Sequence, residues 1–320
     1  METLKWGFIG AGGIAKRALY PAISKSSVGE IYAVASRDLY KARTISPNGI
    51  VYDNYDALLA DPKVEAVYIS LPNSLHIPLT IKALNAGKHV LCEKPLGMNP
   101  AEVEEATALA ASKGLLLVEA SWNRWHPRTK RIQEIMKSGV LGKIHRIRTG
   151  FTFDGLADSD IRNVPELGGG MVYDLGPYAI AAPLWLMGFP QFSNLEVLAV
   201  VNKHGVDETI RSNFMLGDTR CETTVSCNIQ FTHWLIVEGQ NGTLRTGGND
   251  AFFSHNQPSS LELEIGSKVT IENFKAEDPY QLMADAFARK VRGEDVWVMP
   301  LSESLRFSQL FDAILAKIAK

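Results

Sequence analysis

The spacing of apolar and polar residues changes character once along the chain. Before that change, short apolar runs fall at Leu4–Ile9, Ile31–Ala35, Ala66–Ser70, Val90–Cys92 and Leu115–Glu119. Between them, apolar residues recur at helical spacing over Ile14–Ser24, Leu39–Ile45, Tyr55–Ala60, His76–Ala86 and Pro100–Lys113. This alternation predicts βαβ units and a parallel sheet. Asn99-Pro100 ahead of Ala101-Glu102-Val103 reads as a helix start, with an N-cap side chain and proline at the first helical position.

After Glu119 a helix is predicted from about Thr129 to Lys137, ended by Gly139 and Gly142. Runs with period two follow at Ile144–Phe153, Leu195–Val201, Thr209–Met215, Thr219–Ile229 and Trp234–Glu238, as in a half-exposed antiparallel sheet. One helix, Met171–Met187, interrupts them, and the tail returns to helix at Tyr280–Arg292 and Leu301–Ala319. The fold class is therefore α/β. A Rossmann doubly wound parallel sheet over 1–120 precedes an α+β domain over 121–320, with a large open, mostly antiparallel sheet. The C-terminal helices are free to pack back on the first domain.

Composition narrows the function classes. The 320 residues are 46% hydrophobic and 21% charged, with 33 basic against 35 acidic side chains. A net charge of −2 argues against broad nucleic-acid binding. Cys92, Cys221 and Cys227 are odd in number and lack metal-site spacing, so buried thiols in a reducing compartment are expected and no metal. No signal-like leader and no apolar run of ~18 residues is present, so neither a membrane span nor export is expected. A cytoplasmic enzyme fits best.

Gly10-Ala11-Gly12-Gly13-Ile14-Ala15 follows the first strand and opens the first helix, in the form G-x-G-x-x-A. Gly10 permits a tight turn, Gly12 lets a pyrophosphate approach the backbone, and Gly13 and Ile14 begin the helix whose N-terminus favours anions. The second strand ends in Ser36-Arg37, where a site for NAD carries a carboxylate. A small neutral residue followed by an arginine suits a 2′-phosphate, so NADP(H) is predicted over NAD(H). Asp38 reads as a helix N-cap, with a ribose contact as the alternative.

Glu93-Lys94-Pro95 ends the run His89-Val90-Leu91-Cys92 at the carboxyl end of a strand, where open α/β sheets bind ligands. Leu71, Asn73 and His76 follow the preceding strand and belong to the same cleft. Asn73 or His76 is positioned for the ribose or carboxamide, and a local hydrogen bond at a helix start is the equal alternative for His76. Further along, Gly168-Gly169-Gly170 leads to Asp174 and Tyr178, four residues apart and on one face if helical. A phenol beside an ammonium is a proton shuttle, because the cation favours phenolate and lowers a pKa that starts near ~10.

The glycine turn, Ala86-Gly87-Lys88-His89-Val90-Leu91-Cys92-Glu93-Lys94-Pro95 and Gly168-Gly169-Gly170 leading to Asp174 together resemble the Gfo/Idh/MocA oxidoreductase family over essentially the whole chain. That family commonly has histidine four residues after the Asp, and here Tyr178 stands there. The departure resembles the branch with dimeric dihydrodiol dehydrogenase, glucose–fructose oxidoreductase and NADP-dependent aldose dehydrogenases. In that branch a Lys and a Tyr serve the reaction, and Ser-Arg after strand two accompanies NADP.

The resemblance implies Lys94, Tyr178 and Asp174 as the catalytic group, with Glu93 and Lys94 also among the cofactor residues. Glu119-Ala120-Ser121-Trp122-Asn123-Arg124-Trp125-His126-Pro127 also resembles the branch, which makes Trp122, Arg124 and His126 substrate candidates, together with Arg162. The expected activity is hydride transfer between NADP(H) and a carbinol or carbonyl carbon of a polyhydroxylated small molecule, a sugar or sugar derivative. A trans-dihydrodiol dehydrogenase and a non-catalytic dinucleotide-binding regulator are the alternatives. A broad apolar sheet face, with the resemblance, implies a homodimer or higher homo-oligomer through the C-terminal sheet.

Overall fold

The computed structural model describes residues 2–45, 49–246, 251–252 and 254–318. The chain divides into two compact units, Met1–Trp122 with Asp278–Leu305, and Asn123–Glu277 with Arg306–Lys320.

The first unit is built on six strands: β1 (Leu4–Ile9), β2 (Gly29–Ala35), β3 (Ile50–Tyr52), β4 (Ala66–Ile69), β5 (His89–Cys92) and β6 (Leu117–Glu119). They pair in the order β3-β2-β1-β4-β5-β6, and every pair is parallel. Leu4, Trp6, Phe8 and Ile9 are wholly buried, as a strand covered on both faces requires. The register sets Ile9 beside Ala35 and Ile69, Ile69 beside Cys92, and Cys92 beside Glu119. One edge of the sheet thus gathers the strand ends that lead into Gly10, Ser36, Leu71 and Lys94. The order reverses between β1 and β4, which is where such sheets bind ligands.

The helix over Pro100–Lys113 starts as its sequence demands. Asn99 Oδ1 accepts the Glu102 N–H at 3.0 Å, Glu102 accepts from the Met98 N–H at 2.8 Å, and Gly114 ends the helix at φ +63°. The first helix differs from its expected uniform form. A π turn over Ala15–Leu19 runs into an α segment over Tyr20–Ser24. Pro21 cannot donate to the carbonyl one turn back, and the ladder adjusts around it. Asp278 caps a helix over Pro279–Val291, which lays Phe287 against Trp6 at 4.9 Å between ring centres. The final helix is described over Leu301–Ile318, and the expected end at Ala319 lies outside the described residues.

The second unit carries eight strands: β7 (Ile144–Asp154), β8 (Phe192–Val201), β9 (Asp207–Leu216), β10 (Thr219–Ser226), β11 (Asn228–Gly239), β12 (Gly242–Thr246), β13 (Ser259–Ile265) and β14 (Lys268–Phe274). Their order is β14-β13-β12-β11-β7-β10-β9-β8, antiparallel except where β7 meets β10. The expected run Thr219–Ile229 breaks at Cys227, where β10 ends and β11 begins. Ile147, Phe151, Ile210, Phe214, Val225, Leu235 and Val237 fill one face.

The other face is less apolar than expected. A ladder of ion pairs crosses it, including Arg146–Glu222 at 2.6 Å and Arg148–Glu238 at 2.7 Å. Leu198 at 72% exposure and Ile271 at 60% sit on its outer strands.

The expected helix Met171–Met187 is three short pieces, Met171–Asp174, Gly176–Ala179 and Ala182–Leu186. Pro177 and Pro183 each remove a backbone donor, and the Ala179 carbonyl that Pro183 leaves unbonded accepts from Thr149 Oγ1 at 2.7 Å. All three cysteines are free and buried. Among the described residues no helix is long and apolar enough to cross a membrane, and no cluster of metal-ligating side chains occurs.

Candidate active site

In the first unit the glycine turn has two kinds of glycine. Gly10 is required by the fold, since its φ is +96° and a Cβ would lie 2.9 Å from both the Ser70 carbonyl oxygen and Leu71 Cδ2. Gly12 and Gly13 are exposed, and Cβ atoms there would come no nearer than 3.5 Å and 3.9 Å to any neighbour. The protein's own packing does not demand glycine at either position. A backbone left bare at a helix start, without an internal reason, fits the approach of a pyrophosphate. Ile14 is half-buried at the head of the π turn.

Ser36 is buried at the end of β2, and its Oγ accepts the Asp38 N–H at 3.1 Å. Asp38 in turn accepts the Lys41 N–H at 3.0 Å, so it caps the following helix, and that bond holds its carboxyl below its usual pKa. Arg37 lies exposed beside them. The end of β2 therefore presents a hydroxyl and a guanidinium, with the nearby carboxylate occupied by its own helix.

Lys94 leaves β5 half-buried. Glu93 before it is buried, accepts the Tyr68 phenol at 2.5 Å and accepts the Lys94 N–H at 3.3 Å. Burial, then the Glu93 carboxylate, keeps that phenol protonated far above its ordinary range. Asn73 is half-buried in a one-turn 3-10 segment, Asn73–Leu75.

His76 departs from the expected cofactor contact. It is wholly buried, with Nδ1 2.7 Å from the Pro95 carbonyl oxygen and Nε2 2.8 Å from that of Leu71. Burial pushes its pKa down, and the Lys94 charge adds to that. It braces the Leu71 and Pro95 loops against each other rather than facing a ligand. Trp122 is corrected in the same way: it is 1% exposed and stacked on Tyr280 at 4.9 Å, a packing residue of the first unit.

In the second unit Tyr178 is 7% exposed, with its ring 5.6 Å from that of Phe151. The break at Leu175 means that Asp174 and Tyr178 sit on successive short helices rather than one regular helical face. Asp174 Oδ2 accepts from Arg162 Nε at 2.6 Å, and Asp160 takes the same guanidinium at 3.2 Å. Asp174, then burial opposing it, governs the Arg162 pKa, which ends above its ordinary value. Arg162, expected at the substrate, is thus engaged by two carboxylates of its own unit.

Arg124 is buried with its guanidinium 5.3 Å from the centre of the Trp185 ring. His126 is buried too, and its Nδ1 accepts the Arg128 N–H as the N-cap of the helix Pro127–Ser138. Burial, then the Arg128 charge, lowers its pKa to about 4, so it is neutral. Both side chains are buried rather than open to solvent.

Residues 4–121 match the oxidoreductase family with an NAD-binding Rossmann fold, and residues 129–245 match the GFO/IDH/MocA C-terminal domain. The D-xylose 1-dehydrogenase (NADP(+)) 2 of Haloferax volcanii is 34% identical over 97% of this chain and 96% of its own. The chain belongs to the Gfo/Idh/MocA oxidoreductase family.

Within that family, human trans-1,2-dihydrobenzene-1,2-diol dehydrogenase is 30% identical over 76% of this chain and 74% of its own. The crystal structure of KijD10, a 3-ketoreductase from Actinomadura kijaniata in complex with NADP and TDP-benzene, superposes with a TM-score of 0.90 at 28% identity, covering 98% of each chain. Crystal structures of KijD10 variants exist for one tyrosine and for one lysine, separated in its sequence by the same interval as Tyr178 and Lys94 here.

Two buried acids, one in each unit, escaped sequence reasoning. Asp207 accepts the Val172 N–H at 2.7 Å and so holds the segment that carries Asp174. Desolvation raises its pKa to about 6 against the pull of backbone donors, Val172 first. Glu119 lies 2% exposed at the end of β6. Asp207 gives no local signal, since it lies far along the chain from Gly170. Glu119 had one, as a carboxylate ending the strand next to that of Lys94.

Proposed function

We propose that this protein is an NADP(H)-dependent dehydrogenase or reductase acting on a CH–OH or carbonyl carbon of a sugar or sugar derivative. The observation that carries the reading is Lys94 on the strand edge that also presents the glycine turn and Ser36-Arg37. The xylose dehydrogenase relative, which uses NADP(+), and the ketoreductase crystallised with NADP support both the cofactor and the substrate class.

The cofactor would be held by Gly10, Gly12, Gly13 and Ile14 at the pyrophosphate, by Ser36 and Arg37 at the 2′-phosphate, and by Leu71, Asn73 and Glu93 along the same edge. Bound NADP(H) supplies or accepts the hydride, and the protein's own work is orientation and proton transfer. Tyr178 gives a proton to the substrate oxygen in reduction and takes it back in oxidation. Lys94 donates a hydrogen bond to that oxygen or to Tyr178, and its charge stabilises the negative charge that develops there. Arg162 fixes Asp174, which steadies the start of the segment bearing Tyr178.

The test is a panel of aldoses, keto-sugars and dihydrodiols followed at the NADPH absorbance, with NADH in parallel. Dihydrodiols belong on it because of the human relative. Turnover of at least one member is expected with NADPH preferred, and Ser36→Asp with Arg37→Ala should shift the preference toward NADH by about tenfold or more. Tight NADPH binding without turnover of any member would favour a non-catalytic regulator. We also propose a homo-oligomer formed through the open sheet face. Light scattering should report more than one copy in the wild type and a smaller species for Leu198→Asp with Ile271→Asp, and a monomeric wild type would end this proposal.

A further inference from the structure

Glu119 has no part in the mechanism above, yet its placement is costly. A carboxyl buried this deeply must lose its hydration when charged. It ends β6 directly beside Cys92 of β5, and Cys92 leads straight into Glu93 and Lys94. Ser121 Oγ donates to Glu119 Oε1 at 3.2 Å, and Ser304, from the start of the last helix, lies beside the same carboxyl. Lys94 and Glu93 both act on it electrostatically. Among the described residues, the buried Cys92 thiol interacts with both Glu93 and Glu119, and the Tyr68 phenol with Glu93 and Tyr280. Lys94 thus comes two residues after the register partner of Glu119 and directly after Glu93, with Glu93 tied to a phenol and Glu119 bonded by the Ser121 hydroxyl.

We propose that Glu119 is a positioning residue for Lys94, a buried counter-charge whose protonation state sets how strongly the lysine holds its own proton. With Glu119 ionised the ammonium is favoured, and with Glu119 protonated it is favoured less. Burial lifts the Glu119 pKa to about 7, with the Ser304 and Ser121 hydroxyls and the Lys94 ammonium pulling the other way. The exchange thus falls near neutrality, where an enzyme that must both give and take a proton gains from it. Its consequence for turnover rests on the assignment of Lys94 to the reacting oxygen, but its effect on the lysine itself does not.

The experiment is competitive labelling of the folded protein with trace acetic anhydride from pH 6 to 9. Lys94 is quantified by peptide mass spectrometry against exposed Lys113. In the wild type, the rise of Lys94 labelling with pH should be shallow across neutrality, because Glu119 ionises and raises the lysine's affinity for its proton. Glu119→Gln should restore a single-step profile and label Lys94 about three- to tenfold faster near pH 8, as a drop of half to one pKa unit requires.

Should that variant not fold, Ser121→Ala serves. Losing a donor to the carboxylate should move the shallow segment to higher pH. Superimposable wild-type and Glu119→Gln profiles, or an unmoved segment in Ser121→Ala, would overturn the proposal. No substrate is involved, so a failed Lys94→Ala turnover test and a failed labelling test remain distinct.

Discussion

The two glycine-rich turns of this chain look alike in sequence and differ in what surrounds them. In the first unit a Cβ on Gly12 or Gly13 would meet nothing closer than ordinary contact. In the second, a Cβ on Gly169 would lie 2.5 Å from the Arg162 carbonyl oxygen, and one on Gly170 would lie 2.0 Å from Asp207 Oδ1 at a φ of +104°. The triple glycine is therefore demanded from inside, by the loop that seats Asp174, whereas Gly12 and Gly13 have room that the protein does not use. A glycine motif kept for a ligand and one kept for packing can be told apart by asking what a methyl group would touch.

That contrast breaks most readily at Gly170. Gly170→Ala should destabilise the second unit by about 3 kcal/mol or more, from backbone strain together with displacement of Asp207. Denaturant unfolding with a near-wild-type midpoint would show that the loop is softer than its geometry.

A smaller effect separates the buried acids from ordinary ones. Glu119 has its folded pKa raised from 4.5 to about 7. Its protonated form is therefore favoured by folding, and that contribution is complete below pH 4.5 and lost as pH rises to 7. Relative to Glu119→Gln, the wild type should lose stability across that window by roughly 3 kcal/mol, at about 1.4 kcal/mol per pKa unit. Parallel stability curves from pH 4 to 8 would remove Glu119 from this account. A residue that weakens the fold at neutral pH and nevertheless ends the strand paired with the one leading to Lys94 is the pattern of a functional group.

The smallest effect is at Gly12. Gly12→Ala should leave unfolding free energy within about 1 kcal/mol of wild type, or slightly above it, while weakening NADPH binding. Equal NADPH affinity in the two proteins would erase the distinction between the turns.

Much of the first unit was legible because β1 and β4 are covered on both faces and read as near-continuous apolar runs. Asn99-Pro100 carried its own start signal, and Asp38 its capping role. The second unit was harder. β12–β14 were missed because Gly242–Thr246 is short and partly polar, and because Ser259–Ile265 and Lys268–Phe274 mix charges into each strand. The helical reading of Met171–Met187 followed its apolar residues and underweighted Pro177 and Pro183. β3 at Ile50–Tyr52 offered too few residues to read.

Among the candidate site residues, Lys94, Ser36 and Gly12 were singled out because each follows a strand end. The burial of Trp122, Arg124 and His126, and the pairing of Arg162 with Asp160 and Asp174, were not legible in the sequence. Tyr280, Trp185 and Asp174 cannot be inferred as such from the residues flanking them. Asp207 was invisible for the same reason.

The central claim is that Lys94 and Tyr178 act together on one substrate oxygen while NADP(H) binding is the work of other residues. The direct measurement is a double-mutant cycle on kcat/KM with Lys94→Ala, Tyr178→Phe and the pair, with NADPH affinity determined for each. Each single change should cost about 10²- to 10⁴-fold with NADPH binding retained, and the double variant should lose little more than the worse single. Losses that multiply in the double variant, or full activity in either single one, would contradict it.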